Sequence, residues 1–498
     1  MNGQSTIAAV STPAGTGGIA VVRISGPDAI EIVGGAWRGK PLKEIAGHTA
    51  TLGRYVSTSG ELIDECLATL FRAPRSFTGE DVVEISVHGS VWIQREIMAD
   101  LIRRGARAAG PGEFTQRAFL NGRLDLAQAE GVADLIAASS KAAHDLAVSQ
   151  TRGRFSREFE ALRERLIEFA SLLELELDFS EEDVEFADRA NLRSLAGAIL
   201  AKVERLADSY ASGAVLKDGI PVVIAGIPNA GKSSLLNMLL GEDKAIVTDI
   251  PGTTRDVIED TAEIDGILFR FTDTAGLRES DDMVESIGIE RAKEKIRTAR
   301  IVIWVFDPFA DAARQISEIR EIMREDPDRK LIVLVNKSDL TAMKSHHLTE
   351  SHDTDELILK TGHPDNEGND TAFLTDGSQT QRGDDADASF ESVIKDAIPF
   401  SAKTCEGYGM LKQRLKEMSY NGYDPGQELI VTNARHYEAL TRGAESLRQA
   451  IAGIDGSLSA DFIAQDVREA LHFLGTITGS VTTPDLLTSI FTHFCIGK

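Results

Sequence analysis

Cysteine is scarce in this chain, which has only three among 498 residues: Cys66, Cys405 and Cys495. Three cysteines so far apart cannot form a disulfide framework, nor a zinc site by themselves, and they favour a reducing compartment. Long hydrophobic runs are also missing, since the longest, such as Ile301–Phe306, have only the length of a strand. We therefore expect no membrane association. The N-terminus has no basic residues ahead of its apolar stretch, unlike a secretion signal, so we expect a cytoplasmic protein.

Positive charge is in deficit, because 53 lysines and arginines face 78 acidic residues and give a formal net charge of −25. A protein that grips nucleic acid alone usually has a basic face, since phosphate contacts supply much of the affinity. A nucleic-acid function would therefore need a basic partner or a local basic patch. Acidity that serves only solubility is an equally good interpretation.

The chain is too long for one compact core, and its sequence pattern changes along its length. Residues 1–121 mix short β-like runs with glycine, proline and one helix-like stretch, which predicts an α+β domain. Residues 122–217 and 424–498 have helical periodicity, whereas residues 218–423 alternate apolar strands with amphipathic helices. We therefore predict a multidomain fold in which an α/β domain is inserted into a discontinuous α-helical domain.

Six large apolar residues of the first helical part recur at three- and four-residue steps. This spacing predicts one buried helix face, and a core stripe explains it better than a cofactor site. The six residues are Phe155, Phe159, Leu162, Leu166, Phe169 and Leu173.

Residues 341–396 break the alternation of strands and helices. They contain 13 acidic residues against 4 basic ones, many Thr, Gly and Ser, and little periodicity. Such a composition buries too little apolar surface to offset the entropy of ordering, so we predict a mostly disordered surface insertion.

A phosphate-binding pattern follows the apolar run at 221–225 and precedes a helix-like stretch at 234–240. The segment Gly226-Ile-Pro-Asn-Ala-Gly-Lys-Ser233 fits the P-loop in its strand–loop–helix context. Its glycines let backbone N–H groups face the phosphates, and the helix N-terminus adds positive potential. Lys232 is expected to reach the β- and γ-phosphates, and the Ser233 hydroxyl to bind Mg²⁺. The other predicted nucleotide contacts here are Asn229, Ala230, Gly231 and Ser234.

Further nucleotide motifs follow in order. Gly252-Thr-Thr254-Arg lies where a switch loop would place Thr254 on Mg²⁺, and Asp273-Thr-Ala-Gly276 follows the apolar run at 268–272. Asp273 is expected to hold a metal-bound water, and the Gly276 N–H to sense the γ-phosphate. Together with the P-loop these motifs predict a P-loop GTPase domain in the inserted α/β region.

The base-recognition motif is Asn336-Lys337-Ser-Asp339, which follows the apolar run at 331–335. The Asp339 carboxylate can accept hydrogen bonds from guanine N1–H and the exocyclic amine, and adenine offers neither donor at those positions. Asp339 therefore selects GTP over ATP. The later segment Ser401-Ala402-Lys403 is expected to back the base with a main-chain N–H.

The residue that orients the attacking water is not the usual glutamine. In Ras-like enzymes a glutamine follows the DxxG glycine, but here that position is Leu277. Glu285 is our candidate, with Asp273 as the other catalytic residue. The alternative is that the acidic residues around Glu285 only form a solvated loop.

The chain resembles the MnmE (TrmE) family of tRNA-modifying GTPases over nearly its whole length. The strings that resemble the family are Thr12-Pro-Ala-Gly-Thr-Gly-Gly18, Val22-Arg-Ile-Ser-Gly26, Ser76-Phe-Thr-Gly-Glu-Asp81, His88-Gly89, Pro111-Gly-Glu-Phe-Thr115, Arg117-Ala-Phe-Leu-Asn121, Leu124-Asp-Leu-Ala-Gln-Ala-Glu130, Asp273-Thr-Ala-Gly-Leu-Arg278 and Phe494-Cys-Ile-Gly-Lys498. Two features depart from the family: the insertion is longer, and Cys405 stands where a glycine is more usual.

The resemblance implies a homodimer that is joined through N-terminal domains and binds 5-formyl- or 5,10-methylene-tetrahydrofolate. It implies G domains that dimerise across K⁺ when GTP is bound. It also implies a heterotetramer with the FAD-dependent partner MnmG (GidA), which adds a carboxymethylaminomethyl-type group at C5 of the wobble uridine of certain tRNAs.

The resemblance also assigns residues to these ligands. Those implied for folate are Arg23, Glu84, Arg123 and Lys498, with Arg123 at a position where lysine is also common. Those implied for K⁺ are Asn229, Thr248, Ile250 and Thr253, and Thr248 is also expected to contact GTP. Cys495 matches a terminal cysteine linked to the modification step, although a buried small hydrophobic residue is an alternative interpretation.

A ribosome-assembly switch GTPase without a transferase role is the competing hypothesis. The Arg23, Glu84 and Arg123 set and the Cys-Ile-Gly-Lys terminus speak against it, because an assembly factor would need neither. Folate binding separates the two hypotheses.

Overall fold

The chain folds into two compact units, and the polypeptide leaves the first unit and later returns to it. The computed structural model describes residues 5–178, 189–243, 260–273, 293–326, 329–340, 349–350, 357–360, 371–374, 394–419, 429–456, 458–492 and 494–497. One unit comprises Met1–Ala137, Ala147–Ala207 and Arg435–Lys498, and the other comprises Ala138–Leu146 and Asp208–Ala434. This arrangement confirms the predicted fold class of an α/β module inserted into a helical one. Within the described residues, no helix is both long enough and apolar enough to span a bilayer.

The N-terminal part of the first unit is a seven-stranded sheet with the order β3-β4-β5-β6-β2-β1-β7. Its strands are β1 Ile7–Val10, β2 Gly17–Ser25, β3 Trp37–Gly39, β4 Thr49–Val56, β5 Leu62–Phe71, β6 Val82–Gly89 and β7 Arg107–Ala108. Neighbouring strands are antiparallel except for the parallel pair of β1 and β7. Helices α1 Ala29–Ala36 and α2 Val91–Arg103 cover one face, and alternate strand residues such as Val83 and Ile85 are buried beneath them.

The opposite side of this sheet is called the outer face here, and it is only partly covered. Helix α3 Glu113–Leu120 covers it at β1, where Ile7, Ala9 and Phe114 form a small buried cluster. Farther across the sheet, Leu52 on β4 and Leu67 on β5 lie directly opposite each other in register. Their side chains are 63% and 43% exposed, so the outer face presents apolar surface to solvent.

The remaining helices of the first unit form a bundle. They are α4 Leu126–Ala137, α6 Arg154–Asp178, α7 Arg189–Asp208, α12 Ala434–Asp455, α13 Ala460–Thr478 and α14 Pro484–Phe491. Helix α5 Lys141–Thr151 is divided between the two units after Leu146, and helix α8 Tyr210–Asp218 belongs to the second unit. All six residues of the predicted apolar stripe lie on α6 and are buried, so that prediction is confirmed.

The second unit is built on a six-stranded sheet with the order β16-β12-β11-β8-β10-β9, parallel except at β9. Its elements in chain order are β8 Ile220–Ala225, α9 Lys232–Asp243, β9 Asp260–Ile264, β10 Ile267–Asp273, β11 Ile301–Phe306, α10 Ala312–Glu325, β12 Lys330–Val335, β16 Ile398–Pro399 and α11 Tyr408–Ser419. The central strands are buried on both faces and are therefore apolar at nearly every position. Because parallel strands end at the same edge, the loops after β8, β11, β12 and β16 meet there.

The described parts of the acidic insertion contain three short strands. These are β13 Thr349–Glu350, β14 Leu357–Lys360 and β15 Thr371–Leu374, which pair in an antiparallel sheet. The insertion was predicted to be mostly disordered, and these ten residues are the described part of it that forms strands, because short Thr- and Leu-containing runs pair with each other despite the acidic surroundings. The other residues of the insertion up to 393 lie outside the described part of the chain.

Candidate functional site

The P-loop turns tightly at the end of β8, and its glycines make that turn possible. Gly226 has φ 142°, and a Cβ there would lie 2.5 Å from the Val305 carbonyl oxygen of β11. Gly231 has φ 104°, and a Cβ there would lie 2.2 Å from Asn336 Nδ2. Only glycine fits at either position, since both the φ angle and the close neighbour exclude a side chain.

Lys232 is buried inside the loop that it terminates. Its Nζ donates hydrogen bonds to the carbonyl oxygens of Gly226 at 2.9 Å and Ile227 at 2.8 Å. Lys232 is also the first residue of α9, whose N-terminus carries partial positive charge. The loop therefore brings an ammonium group and a helix N-terminus together, which is the chemistry that binds phosphate.

Asn336 connects the P-loop to the two base-recognition segments. Its backbone N–H donates to the Phe306 carbonyl at 2.9 Å, and its Nδ2 donates to the Ala230 carbonyl at 2.7 Å. Its Oδ1 accepts the Ala402 N–H at 3.3 Å. The structure thus brings together the predicted residues of three segments that are distant in sequence.

Asp339 is held beside the loop that follows β16. The Ser401 hydroxyl, which is fully buried, donates to Asp339 Oδ1 at 2.9 Å and accepts the Thr404 N–H at 3.2 Å. One carboxylate oxygen of Asp339 is therefore oriented by the protein. Lys403, the last residue of the predicted Ser-Ala-Lys motif, is exposed.

Glu406 belongs to this site but was not among the predicted residues. Its Oε2 accepts the Ser338 hydroxyl at 2.9 Å, and its carbonyl accepts the Ser401 N–H at 3.1 Å. It therefore ties the loop after β12 to the loop after β16. Cys405 beside it has φ 60°, a left-handed conformation that explains why glycine suits this position.

Several predicted residues of the nucleotide site cannot be placed. Asp273 ends β10 and pairs in register with Ile224 near the end of β8, so its backbone lies beside the P-loop strand, but its side chain is not described. The others lie outside the described residues altogether: Thr248, Ile250, Thr253, Thr254, Gly276 and Glu285.

The predicted folate residues Arg23 and Glu84 meet on the outer face of the N-terminal sheet. They are cross-strand partners on β2 and β6, and Arg23 Nε donates to Glu84 Oε1 at 2.8 Å. The Arg23 guanidinium lies 5.6 Å from the ring centroid of Phe77 and 5.7 Å from that of Phe114. The two rings lie in the family-like segments 76–81 and 111–115, but no role was predicted for them.

Arg123 lies close to the same loop as Phe77. A Cβ added at Gly79 would lie 3.2 Å from Arg123 Cγ, so the arginine stem packs on this loop. The loop is held in place by Glu80, whose carboxylate accepts hydrogen bonds from Arg117 Nη1 at 3.1 Å and from Ser25 Oγ at 2.7 Å. Arg23, Glu84 and Arg123 are thus grouped around residues 76–81.

The C-terminal segment returns to the N-terminal sheet. The Gly112 N–H donates to the Cys495 carbonyl at 3.3 Å, and Ser11 Oγ donates to the Gly497 carbonyl at 2.9 Å. Cys495 is exposed, so the interpretation of this residue as a buried hydrophobic residue is wrong. Lys498 lies beyond the last described residue.

Comparisons with known proteins find the same resemblance over the whole chain. The family model described as "MnmE helical domain" matches residues 126–495, and the model described as "GTP-binding protein TrmE N-terminus" matches residues 6–123. The tRNA modification GTPase MnmE of Bacteroides fragilis is 48% identical over 99% of this chain and 100% of its own length. The protein of the same description from Christiangramia forsetii is 46% identical over 99% of both chains, and that from Cytophaga hutchinsonii is 44% identical over 100% of this chain and 98% of its own.

Proposed function

This chain belongs to the MnmE family of tRNA modification GTPases, and we propose that its GTP hydrolysis drives modification of the wobble uridine of certain tRNAs. In this proposal a carboxymethylaminomethyl-type group is added at C5 of the uridine, with a tetrahydrofolate as one-carbon donor. The FAD-dependent protein MnmG is the partner, and the reaction takes place in the cytoplasm. The observation that supports this most is the grouping of Arg23, Glu84 and Arg123 in the same chain as the P-loop and the Asp339 loop.

The proposed nucleotide position follows from the edge of the parallel sheet. The phosphates lie in the P-loop, where Lys232 and the N-terminus of α9 supply positive charge. The guanine lies against Asn336 and Asp339, and the Asp339 oxygen not bonded to Ser401 accepts its N–H donors. Adenine lacks these donors, which is the physical reason for a preference for GTP.

The proposed metal ions are supported by the kind of atoms present. Ser233 places a hydroxyl at the start of α9, next to Lys232, and such hard oxygen donors suit Mg²⁺, which usually keeps water and substrate phosphates as its other ligands. When bound, Mg²⁺ would neutralise phosphate charge. Asn229, at φ 63° in the P-loop, is the described member of the proposed K⁺ site. Thr254 is proposed for Mg²⁺, and Thr248, Ile250 and Thr253 for K⁺.

The water-activating step is proposed to use Asp273 and Glu285. Asp273 lies at the end of β10, which pairs with β8 and so ends beside the P-loop. A carboxylate near that position can accept a proton or orient a water by hydrogen bonding. Leu277 cannot do so, because its side chain has no polar atom.

The proposed folate pocket lies on the outer face around residues 76–81. The rings of Phe77 and Phe114, on either side of Arg23, can stack on a planar heterocycle, and Glu84 can accept its N–H groups. Arg123 and Lys498 are proposed to pair with the carboxylates of the folate tail. The C-terminal segment with Cys495 contacts Gly112, close in sequence to Phe114, which supports a role for this cysteine in the modification step.

A homodimer is proposed through the outer face. Leu52 and Leu67 form an exposed apolar pair there, and a second copy of the chain would cover them.

The test is an analysis of wobble uridines in tRNA by mass spectrometry. A strain that lacks the gene receives either the wild-type chain or the Arg23→Ala variant. We expect the modified uridine with wild type and its loss with Arg23→Ala, while the variant keeps GTP hydrolysis. Normal modification without the gene would contradict the proposal. Failure of the full-length chain to bind 5-formyltetrahydrofolate would favour the ribosome-assembly switch instead.

A further inference from the structure

Asp307 lies behind the base-recognition loop and has no part in the chemistry described above. It directly follows β11 and is buried, with its side chain 8% exposed. Its Oδ2 lies 2.5 Å from Lys337 Nζ, and its Oδ1 accepts the Phe309 N–H at 3.0 Å. The carboxylate therefore pairs with the lysine that lies between Asn336 and Asp339.

The position of Asp307 is fixed by the fold and does not depend on Lys337. Gln315, a fully buried residue of α10, accepts the Asp307 N–H at 2.9 Å. The side-chain Nε2 of the same glutamine donates to the Asp307 carbonyl oxygen at 2.9 Å. Both backbone polar groups of Asp307 are thus held by one side chain, so its carboxylate is a rigid anchor.

Lys337 is consequently held at both of its ends. Its backbone has φ 63° and follows Asn336, which makes three hydrogen bonds to other segments. Its ammonium group is held by Asp307. A free lysine side chain has about 2 kcal/mol of rotamer entropy, and a side chain that is ordered beforehand loses less of it when a ligand binds.

We propose that Asp307 is a positioning residue for guanine recognition, which holds Lys337 so that its methylene stem forms a wall of the base pocket. This inference rests on the proposed placement of guanine at residues 336–339. Because the stem contacts the base and not the phosphates, Asp307 strengthens binding of GDP and GTP equally.

The test uses full-length Asp307→Asn and titrations with GDP and GTP that carry a fluorescent methylanthraniloyl group. Asparagine keeps the volume of the side chain, and its oxygen can still accept the Phe309 N–H, but it carries no charge and cannot form an ion pair with the Lys337 ammonium group. We expect Kd to rise about tenfold for both nucleotides, as for loss of a charged hydrogen bond. The matched control is Asp311→Asn in the same loop, which caps α10 through the Arg314 N–H, and asparagine caps equally well. Its affinities are expected to equal those of wild type.

A double-mutant cycle with Lys337→Met separates positioning from general damage to the fold. If Asp307 acts through Lys337, Asp307→Asn causes no further loss of affinity in the Lys337→Met background. If Asp307→Asn does not give folded protein, Asp307→Ser replaces it, since a serine hydroxyl can also accept the Phe309 N–H. Unchanged affinity, additive losses, or a loss confined to GTP would each overturn the inference. Binding of GDP by wild type, and the nucleotide choice of Asp339→Asn, test the pocket itself independently of Asp307.

Discussion

Single residues decide which nucleotide the proposed pocket accepts, and Asp339 is the one whose chemistry is most specific. Its carboxylate can only accept hydrogen bonds, so it matches the N–H donors of guanine. Xanthine has a carbonyl in place of the exocyclic amine and needs a donor instead. The buried Ser401 hydroxyl fixes the orientation of the carboxylate, so a change of its chemistry changes the specificity directly.

We expect Asp339→Asn to weaken GTP binding by about 30-fold and to strengthen binding of xanthosine triphosphate, because the amide supplies a donor. Competition titrations with the two nucleotides measure the change, and wild type is the control. An unchanged preference for GTP would remove Asp339 from its assigned role.

The three cysteines differ in reactivity for a physical reason. Burial raises the pKa of the Cys66 thiol to about 12, whereas Cys405 and Cys495 are exposed. The thiolate is the reactive form, so Cys66 is expected to be unreactive near neutral pH in the folded protein.

A maleimide reagent at pH 7.5 is therefore expected to label Cys405 and Cys495 and to leave Cys66 unlabelled. Peptide mass spectrometry identifies the labelled sites. Protein unfolded in urea, in which all three thiols should react, is the control. Rapid labelling of Cys66 in the folded chain would contradict the burial of this thiol and its raised pKa.

The single residues that could be predicted are those with a spacing signal. Lys232, Asn336 and Asp339 belong to motifs whose order along the chain identifies them. Asp307 and Glu406 could not be predicted, because each is a lone acid whose partner comes close only when β11, β12 and β16 pack side by side. That contact depends on the tertiary structure and leaves no periodicity in the sequence.

At the scale of elements, helices α4 and α12 are joined by a buried charged cluster although they are distant in sequence. Glu130 on α4 accepts from Arg435 Nε at 2.9 Å and lies 2.7 Å from His436 Nε2, both on α12. Burial alone would raise the pKa of Glu130, but His436 and Arg435 outweigh it and lower the pKa to about 2. The ionised carboxylate therefore links the two helices through buried, charged hydrogen bonds.

We expect Glu130→Gln to lower the free energy of unfolding of the helical part by about 3 kcal/mol, since it leaves a buried cation without its partner. Urea unfolding followed by circular dichroism measures this. Glu438→Gln removes an exposed pair with Arg442 on α12 and should cost about 1 kcal/mol or less. Equal effects of the two changes would contradict the role of the cluster.

The same cluster predicts a pH dependence. The folded-state pKa of Glu130 is depressed from its ordinary value of 4.5 to about 2, so its stabilisation is fully present above pH 4.5 and is lost as the pH falls toward 2. The difference in unfolding free energy between wild type and Glu130→Gln should therefore shrink over that range. A difference that stays constant down to pH 2 would contradict the assigned pKa.

Elements with a clear apolar pattern could be predicted from sequence, and those without one could not. The apolar stripe of α6 has the helical period, and β8, β11 and β12 are continuous apolar runs of strand length, as burial on both faces of a sheet requires. Strands β13 to β15 have two to four residues each, which is too short for a period to be recognised among acidic neighbours.

At the scale of the whole molecule, the outer face of the N-terminal sheet is the surface proposed to join two chains. A charged residue at its centre would have to be desolvated in a dimer, which is costly without a partner. We expect Leu67→Glu to give a monomer, as measured by light scattering coupled to size-exclusion chromatography. Ile102→Glu is the matched control, because Ile102 is also exposed but lies on α2, which covers the other face. A Leu67→Glu variant that remains dimeric would place the interface elsewhere.

The edge of the second unit, between the P-loop and the Ser401 loop, is proposed to bind a guanine nucleotide. A calorimetric titration of the full-length chain with GTP, and separately with ATP, in the presence of Mg²⁺ and K⁺ measures this binding. We expect saturable uptake of one GTP per chain and no uptake of ATP at the same concentrations. No uptake of GTP, or equal uptake of both nucleotides, would contradict the account.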